Sequence, residues 1–449
     1  MFAIFRVLVL SSPAQLIGGS VSNFTKWILV GLLTSASCSS PDEEAEASKN
    51  VEGDLEVSAP ETSSARTDAE IQATARAIHD RVLVLDAHAD IEIPDNLSRY
   101  AGPDGMSRVA PVKLHAGGVD AVVVAAAVGP GPRDEAGFVE ARQQADAEVA
   151  AIHAQVADAT TKTVLATSAE AIVEAHENGQ VAMILGFQNA RILGLDPKGV
   201  DEFHAAGVRV FALTHMGHND FADSSRPVYN GETSSYEPDA EHGGLSELGV
   251  AAIQRINDLG AVVDISQLSK QAALQAIELS RAPVLATHSN VQALTNVRRN
   301  LSDEEIDRIG ATGGVIHVAA FRGYLFDSND PELDRRIRET RTEHGLPQKY
   351  DYPFELYWEI EGCEAQQAYT GAISDLLGEG SAEVVVNHID YIVDRIGIDH
   401  AGIGNDFNHG GGIAGFIDAS GALVVTEALV RRGYTRLRLK RSGVQTSCV

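Results

Sequence analysis

The sequence predicts an α/β protein, a (β/α)8 barrel of the TIM type with a long insertion between strands 7 and 8. Three observations carry this expectation. Short β-branched runs recur from Thr67 onward, helix-like segments separate them, and the alternation repeats eight times. The runs are also nearly continuously apolar, as strands covered on both faces are. With 449 residues, 44% of them hydrophobic, the chain can bury one large core.

In order, the predicted strands are "VLVLDAH" (82–88), "DAVVVAAAV" (120–128), "VAMILGFQ" (181–188), "VRVFALTH" (208–215), "AVVDISQ" (261–267), "PVLATHS" (283–289), "GGVIHVAA" (313–320) and "HAGIGNDF" (400–407). Between them lie helical patterns such as "DAEVAAIHAQVADA". Gly207, Gly260 and Gly314 precede strands where a helix must stop, and "SDEE" at Ser302 to Glu305 has the form of a capping box. Phe321 to Asp399 is far longer than the other connections. Within it "DPELDRRIRETRTEHG" reads as an exposed helix of an insertion that covers the barrel mouth.

Composition excludes several functions. A formal charge of -28 argues against nucleic-acid binding, which needs a basic face to meet phosphates. Cys38, Cys363 and Cys448 are too few and too scattered for a disulfide framework or a thiolate zinc cluster, so any metal must use histidines and carboxylates. Residues 1–38 read as an export signal: Lys26 precedes the apolar "WILVGLL", and "TSASC" resembles a lipoprotein cleavage box, with Leu33 further from Cys38 than usual. A signal starting near Val21 has more ordinary proportions. Residues 39–66 read as an acidic disordered tether, 67–433 as the barrel domain and 434–449 as an atypical basic tail. The expected location is periplasmic, with a lipid anchor to the membrane.

Six of the predicted strands end on polar groups: His88 with Asp90, Gln188, His215, Gln267, His288 and Asp406. In a (β/α)8 barrel those ends converge on one face, where active sites lie. His88 and Asp90, two apart in "DAHAD", share a face of an extended strand, and imidazole with carboxylate is an ordinary donor set for zinc. Each residue also has a structural reading as a buried hydrogen-bonded group, a pre-helix charge (Arg299) or a turn stabiliser (Asp406). His218, His317 and His409 are left outside the site.

These residues and their motifs, "HAD", "GVRVFALTH" with "NDFADS", "GLSELGVAAIQRINDLGAVVDIS", "APVLATHS", "VRRNLSDEEIDRIGATGGVI" and "AGIGNDF", resemble the membrane (renal) dipeptidase family of the amidohydrolase superfamily, from about Val82 to Gly433. The intervals Gln188 to His215, Gln267 to His288 and His288 to Arg299 match the family's spacing. The resemblance implies a zinc peptidase in which His88 and Asp90 bind a first zinc and His288 a second. It further implies that Asp406 moves the proton of the attacking water, His215 contacts substrate and tetrahedral intermediate, and Arg299 holds the substrate's terminal carboxylate. It also suggests a homodimer and substrates with D-residues at the C-terminal position.

Three positions depart from the pattern. Gln188 stands where the family has a glutamate bridging two zincs, Gln267 where it has a histidine of the second site, and Asn408 where it has an aspartate. Two divalent cations about 3.5 Å apart repel by about 19 kcal/mol at an effective dielectric of about 20, which a bridging carboxylate offsets and an amide does not. The sequence reading is therefore a metallodipeptidase with one Zn2+ rather than two, Gln188 and Gln267 being weak ligands at most. Its rivals are a silent peptide-binding homologue and a mononuclear amidohydrolase acting on N-acyl amino acids or lactones.

Overall fold

The computed structural model describes residues 66–230 and 235–435. The predicted export signal, nearly all of the acidic tether and all but the first two residues of the basic tail lie outside them. Among the described residues no helix is long and apolar enough to cross a membrane.

Each predicted apolar run supplies one strand: β1 (Leu85–Asp90), β2 (Ala121–Ala127), β3 (Val181–Gln188), β4 (Val208–Ala212), β5 (Val262–Asp264), β6 (Leu285–Ala286), β7 (Val315–Val318) and β8 (Ala401–Ile403). They pair in chain order and in parallel. The ring closes where Ala89 bridges Phe407, with Asp90 N donating to Phe407 O and Asp406 N donating to His88 O. A short strand absent from the sequence reading, Thr163–Leu165, pairs with the start of β3. Three residues are too few to show a period.

The strands alternate with period two. Leu85, Val123, Ile184, Val210, Val262 and Val315 form one buried cluster, while Val84, Val122, Leu185, Phe211, Val263 and Ile316 belong to a second, larger cluster shared with the helices. A bulge in β1 between Asp86 and Ala89 shifts this parity, so that Leu85 registers with Ala121 and Asp90 with Ala125. The shift turns His88 and Asp90 onto the face of the first cluster, which is how a bulge re-aims side chains at a site.

Helix ends obey the predicted signals with one correction. Gly207 and Gly260 take positive φ, and the Ser302–Glu305 capping box forms. Before β7, however, Gly313 carries the positive φ. Gly314 is required for space instead, because a Cβ there would lie 2.6 Å from Val284 O.

The long insertion is only partly as expected. Its helix Pro331–Glu343 is not simply exposed: Ile337 joins Leu346, Leu356, Tyr369 and Ile373 in a small core, and Arg341 is buried with its guanidinium donating to Pro347 O, Glu355 O and Tyr369 Oη. A charged residue that satisfies loop carbonyls leaves no periodic signal. The last helix of the segment, Ala382–Ile396, belongs to the barrel, packing against the helix Asp303–Ala311 and β8. The loop from Pro347 to Glu355 does reach the barrel mouth, where it lines a cavity of about 320 Å³ together with Arg299 and Arg226.

Candidate metal centre

The strand ends meet as the sequence predicts. His88, His288 and Asp406 are buried and offer ligand atoms all within 4.8 Å of one another. His88 Nε2 lies 3.4 Å from Asp90 Oδ1 and 4.0 Å from Asp406 Oδ1, and its ring stacks on that of His288 with centroids 3.7 Å apart. Neither His88 Nε2 nor Asp90 Oδ1 has a hydrogen-bond partner, although both are buried. Ligands about 2.0–2.1 Å from a tetrahedral zinc are separated by roughly 3.4 Å, so the spacing of this orphaned pair suits a shared cation.

Hydrogen bonds behind the histidines fix their tautomers. Asp264, at the end of β5, accepts from Ser266 N and Thr287 N through Oδ1 and lies 2.5 Å from Thr287 Oγ1 through Oδ2. The Thr287 hydroxyl proton is thus committed to Asp264. Its oxygen must then accept from His288 Nδ1 at 2.9 Å and His88 Nδ1 at 3.3 Å. Both imidazoles carry a proton on Nδ1 and turn Nε2 to the site, the orientation a ligand needs.

At His288 that nitrogen meets amides. Gln188 Nε2 and Gln267 Nε2 each lie 3.4 Å from His288 Nε2, while both glutamine carbonyl oxygens are left without partners. Burial holds the His288 imidazole well below its usual range, with the charges of His88 and Arg299 adding to the effect. Amide hydrogens therefore point toward the side of His288 where a second cation would approach.

Asp406 and Gln267 adopt φ of 60° and 68°, as do Asn408 at 62° and Asn189 at 86°, a cluster of left-handed non-glycine residues at three strand ends. Such conformations concentrate where a site over-determines the backbone. Asn408, the third departure, has a structural use. It accepts from Arg108 N and donates to Asp90 O and Ser107 Oγ, and an aspartate could not make the two donations.

His215 is buried beside the centre with Nδ1 unpartnered, and burial drives its pKa far down, so it is a neutral imidazole. Arg299 is buried too. Its guanidinium donates to Ser289 Oγ and His288 O and faces the Tyr324 ring, leaving Nε free.

One exclusion from the sequence reading is overturned. His409 lies in the site: its Nδ1 is 2.9 Å from Asp90 Oδ2 and its ring meets His215 edge-on at 4.7 Å. Its position three residues past Asp406, at a tight turn off β8, was the available signal. His218 and His317 do stay outside, bonded to Pro238 O and Ala286 O. Thr287 and Asp264 were not singled out either, because nothing in "VVDIS" or "ATHS" shows that the two strands place them side by side.

A (β/α)8 barrel with imidazole and carboxylate donors gathered at its strand ends defines the class, barrel proteins with a mixed nitrogen and oxygen metal centre. The sequence profile of the membrane dipeptidase family (Peptidase family M19) matches residues 72–442, and the chain belongs to that family. Among solved structures it is 31% identical to the probable dipeptidase PvdM from Pseudomonas aeruginosa, with a TM-score of 0.73 over 85% of this chain and 100% of that one. A metallo peptidase from Rhodobacter sphaeroides, liganded with a phosphinate mimic of the dipeptide L-Ala-D-Ala, shares the fold at 21% identity and a TM-score of 0.62, covering 81% of this chain and 97% of that one. Of curated proteins, the dipeptidase verJ of Clonostachys rogersoniana is 25% identical over 64% of this chain and 59% of its own length. The chain spans between 40% and 66% of the length of the curated relatives it matches.

Proposed function

We propose that the chain is a metal-dependent dipeptidase that works with one zinc ion, held by His88 and Asp90 with Asp406 beside them. The observation that carries this is the orphaned pair His88 Nε2 and Asp90 Oδ1, 3.4 Å apart, with the imidazole fixed in its ligand tautomer by Thr287. When bound, the metal supplies Lewis acidity that polarises a peptide carbonyl and eases proton loss from water. Asp406, 4.0 Å from His88 Nε2, is placed to take that proton and pass it to the leaving amine. His215, neutral and with an unpartnered ring nitrogen, hydrogen-bonds the oxygen on which charge develops. Arg299 keeps donors free to bind a C-terminal carboxylate, which fits small peptides with a free end.

The second position does not suit a cation equally. Gln188 and Gln267 present amide hydrogens to His288, and binding there would require both amides to turn over and a neutral oxygen to replace a carboxylate. This favours one metal, and it also supports a second reading, a binding protein without turnover. Export with a lipid anchor, a homodimeric state and acceptance of C-terminal D-residues complete the proposal, on the sequence features and family resemblance given above.

The test is elemental analysis followed by dipeptide hydrolysis for the wild type, Asp406→Asn and the double variant Gln188→Glu/Gln267→His. One zinc per chain and hydrolysis lost in Asp406→Asn are expected. Two zincs per wild-type chain would overturn the one-metal assignment, and a silent wild type awakened by the double variant would make the protein a binder.

A further inference from the structure

The cavity beside the metal centre holds a second arginine that no part of the proposed chemistry uses. Arg226 follows β4 in a loop whose backbone is pinned: its N–H donates to Ser224 Oγ, its carbonyl accepts from Gly217 N, and the N–H of Ser225 reaches Gln267 O. The side chain is held as firmly. Arg226 Nη1 donates to Tyr324 Oη at 3.2 Å, and the guanidinium lies 4.5 Å from the centre of the Tyr352 ring. Arg299 packs over the Tyr324 ring at 5.2 Å, so the two guanidinium groups flank one tyrosine in one cavity.

Among the described residues, neither guanidinium has a carboxylate within ion-pair reach, whereas the other charges lining the cavity are largely committed. Arg298 pairs with Asp239 and Asp351, Glu237 accepts from the backbone of His218 and Val228, and Glu355 accepts from Asp351 N. Arg299 is buried and Arg226 half-buried, the carboxylates of Glu355 and Asp406 act on Arg226 only from beyond ion-pair reach, and an anionic ligand set between the two neighbouring cations lowers their mutual repulsion. One carboxylate needs only one planar fork. A pair of forks fits a ligand with two acidic groups.

We propose that Arg226 is a specificity residue selecting dipeptides whose C-terminal residue is itself acidic, aspartate or glutamate, its side-chain carboxylate meeting Arg226 while the terminal carboxylate meets Arg299. This rests on the dipeptide reading of the site. The tyrosines serve as a fixed cradle: they orient Arg226 without neutralising it.

The experiment compares Ala-Asp with Ala-Asn and Ala-Glu with Ala-Gln, each with L- and D-residues at the C-terminal position, on the zinc-loaded full chain. Both kcat/KM and calorimetric affinity are measured for the wild type and Arg226→Gln. An acidic-over-neutral ratio of about 10- to 100-fold in the wild type, expressed mainly in KM, is expected, with that ratio falling toward one in Arg226→Gln. Hydrolysis with no acidic preference would overturn the role of Arg226 and leave the dipeptidase reading intact. Selective binding of the acidic dipeptides without hydrolysis would do the reverse. A variant that keeps the wild-type ratio makes Arg226 a purely structural residue, and the wild-type comparison stands even where the variant does not fold.

Discussion

Replacing Glu148 by glutamine should stabilise the protein at neutral pH and leave it unchanged or weaker in acid. Glu148 is buried on the helix Glu135–Ala157, where it accepts from Ala127 N at the end of β2 and from Gln144 Nε2. Burial pushes its carboxyl up to about 8 against an ordinary 4.5; the two donors offset this in part, while the nearby charges of Asp90 and Glu92 add to it. A raised carboxyl pKa stabilises the fold fully below pH 4.5, and that contribution is lost as pH climbs through the folded value. Between pH 4.5 and 7 the loss is worth about 3 kcal/mol at about 1.4 kcal/mol per pKa unit. Glutamine keeps an acceptor for Ala127 N and carries no proton to lose. Urea unfolding of both proteins at several values from pH 4.5 to 8, with the same zinc concentration throughout, checks this. The variant-minus-wild-type difference should move by about 3 kcal/mol in favour of the variant as pH rises, and parallel stability curves would refute the buried, protonated Glu148.

Other expectations concern the scaffold. His388 accepts from Val291 N and burial holds its pKa down to about 4, so its contribution is present above pH 6.5 and lost as pH falls through 4. His388→Gln should then flatten the acid limb of the stability curve by up to about 3 kcal/mol, read by chemical unfolding between pH 7 and 4. A Cβ at Gly404 would lie 1.8 Å from Thr287 O, next to His288, so Gly404→Ala should cost at least about 3 kcal/mol and weaken zinc binding in chelator competition. Ser302→Ala removes half of a capping box and should lower stability by about 1 kcal/mol, measurable as a drop in Tm with zinc occupancy unchanged.

Much of this molecule was legible from sequence because the barrel writes its strands as apolar runs and its site as the polar residues ending them. Gln188 ends β3 where predicted, and His88, Asp90, His288 and Asp406 do converge. What stayed hidden depends on lateral neighbours. The bulge that aims His88 is a register fact between two strands, and Thr287 matters only because Asp264 of the next strand lies against it. Arg341 falls in a segment that reads as an exposed helix and Arg226 is not singled out by any pattern, yet one is buried by loop carbonyls and the other cradled by tyrosines. His409 was missed for a related reason: a turn at Asp406 and Asn408, both with positive φ, folds it back onto Asp90.

Charge at the centre explains why the two glutamines belong together. With both imidazoles serving a bound metal as neutral Nδ1–H ligands, the donors gathered at the strand ends carry two formal negative charges, Asp90 and Asp406. One divalent cation brings that buried cluster to neutrality, whereas two would leave an excess of two positive charges beside Arg299, a net burial that proteins avoid. Restoring glutamate at position 188 alone reduces that excess but leaves it positive, and it adds a third anion where a single cation already balances the site. Histidine at position 267 alone supplies a ligand without the charge to hold an ion. Neither single change is expected to build the second position, and metal content after Gln188→Glu, Gln267→His and the double change separates the two contributions. Only the double variant should exceed one zinc per chain; a second zinc in Gln267→His, which adds no charge, would show that charge balance is not what limits the count.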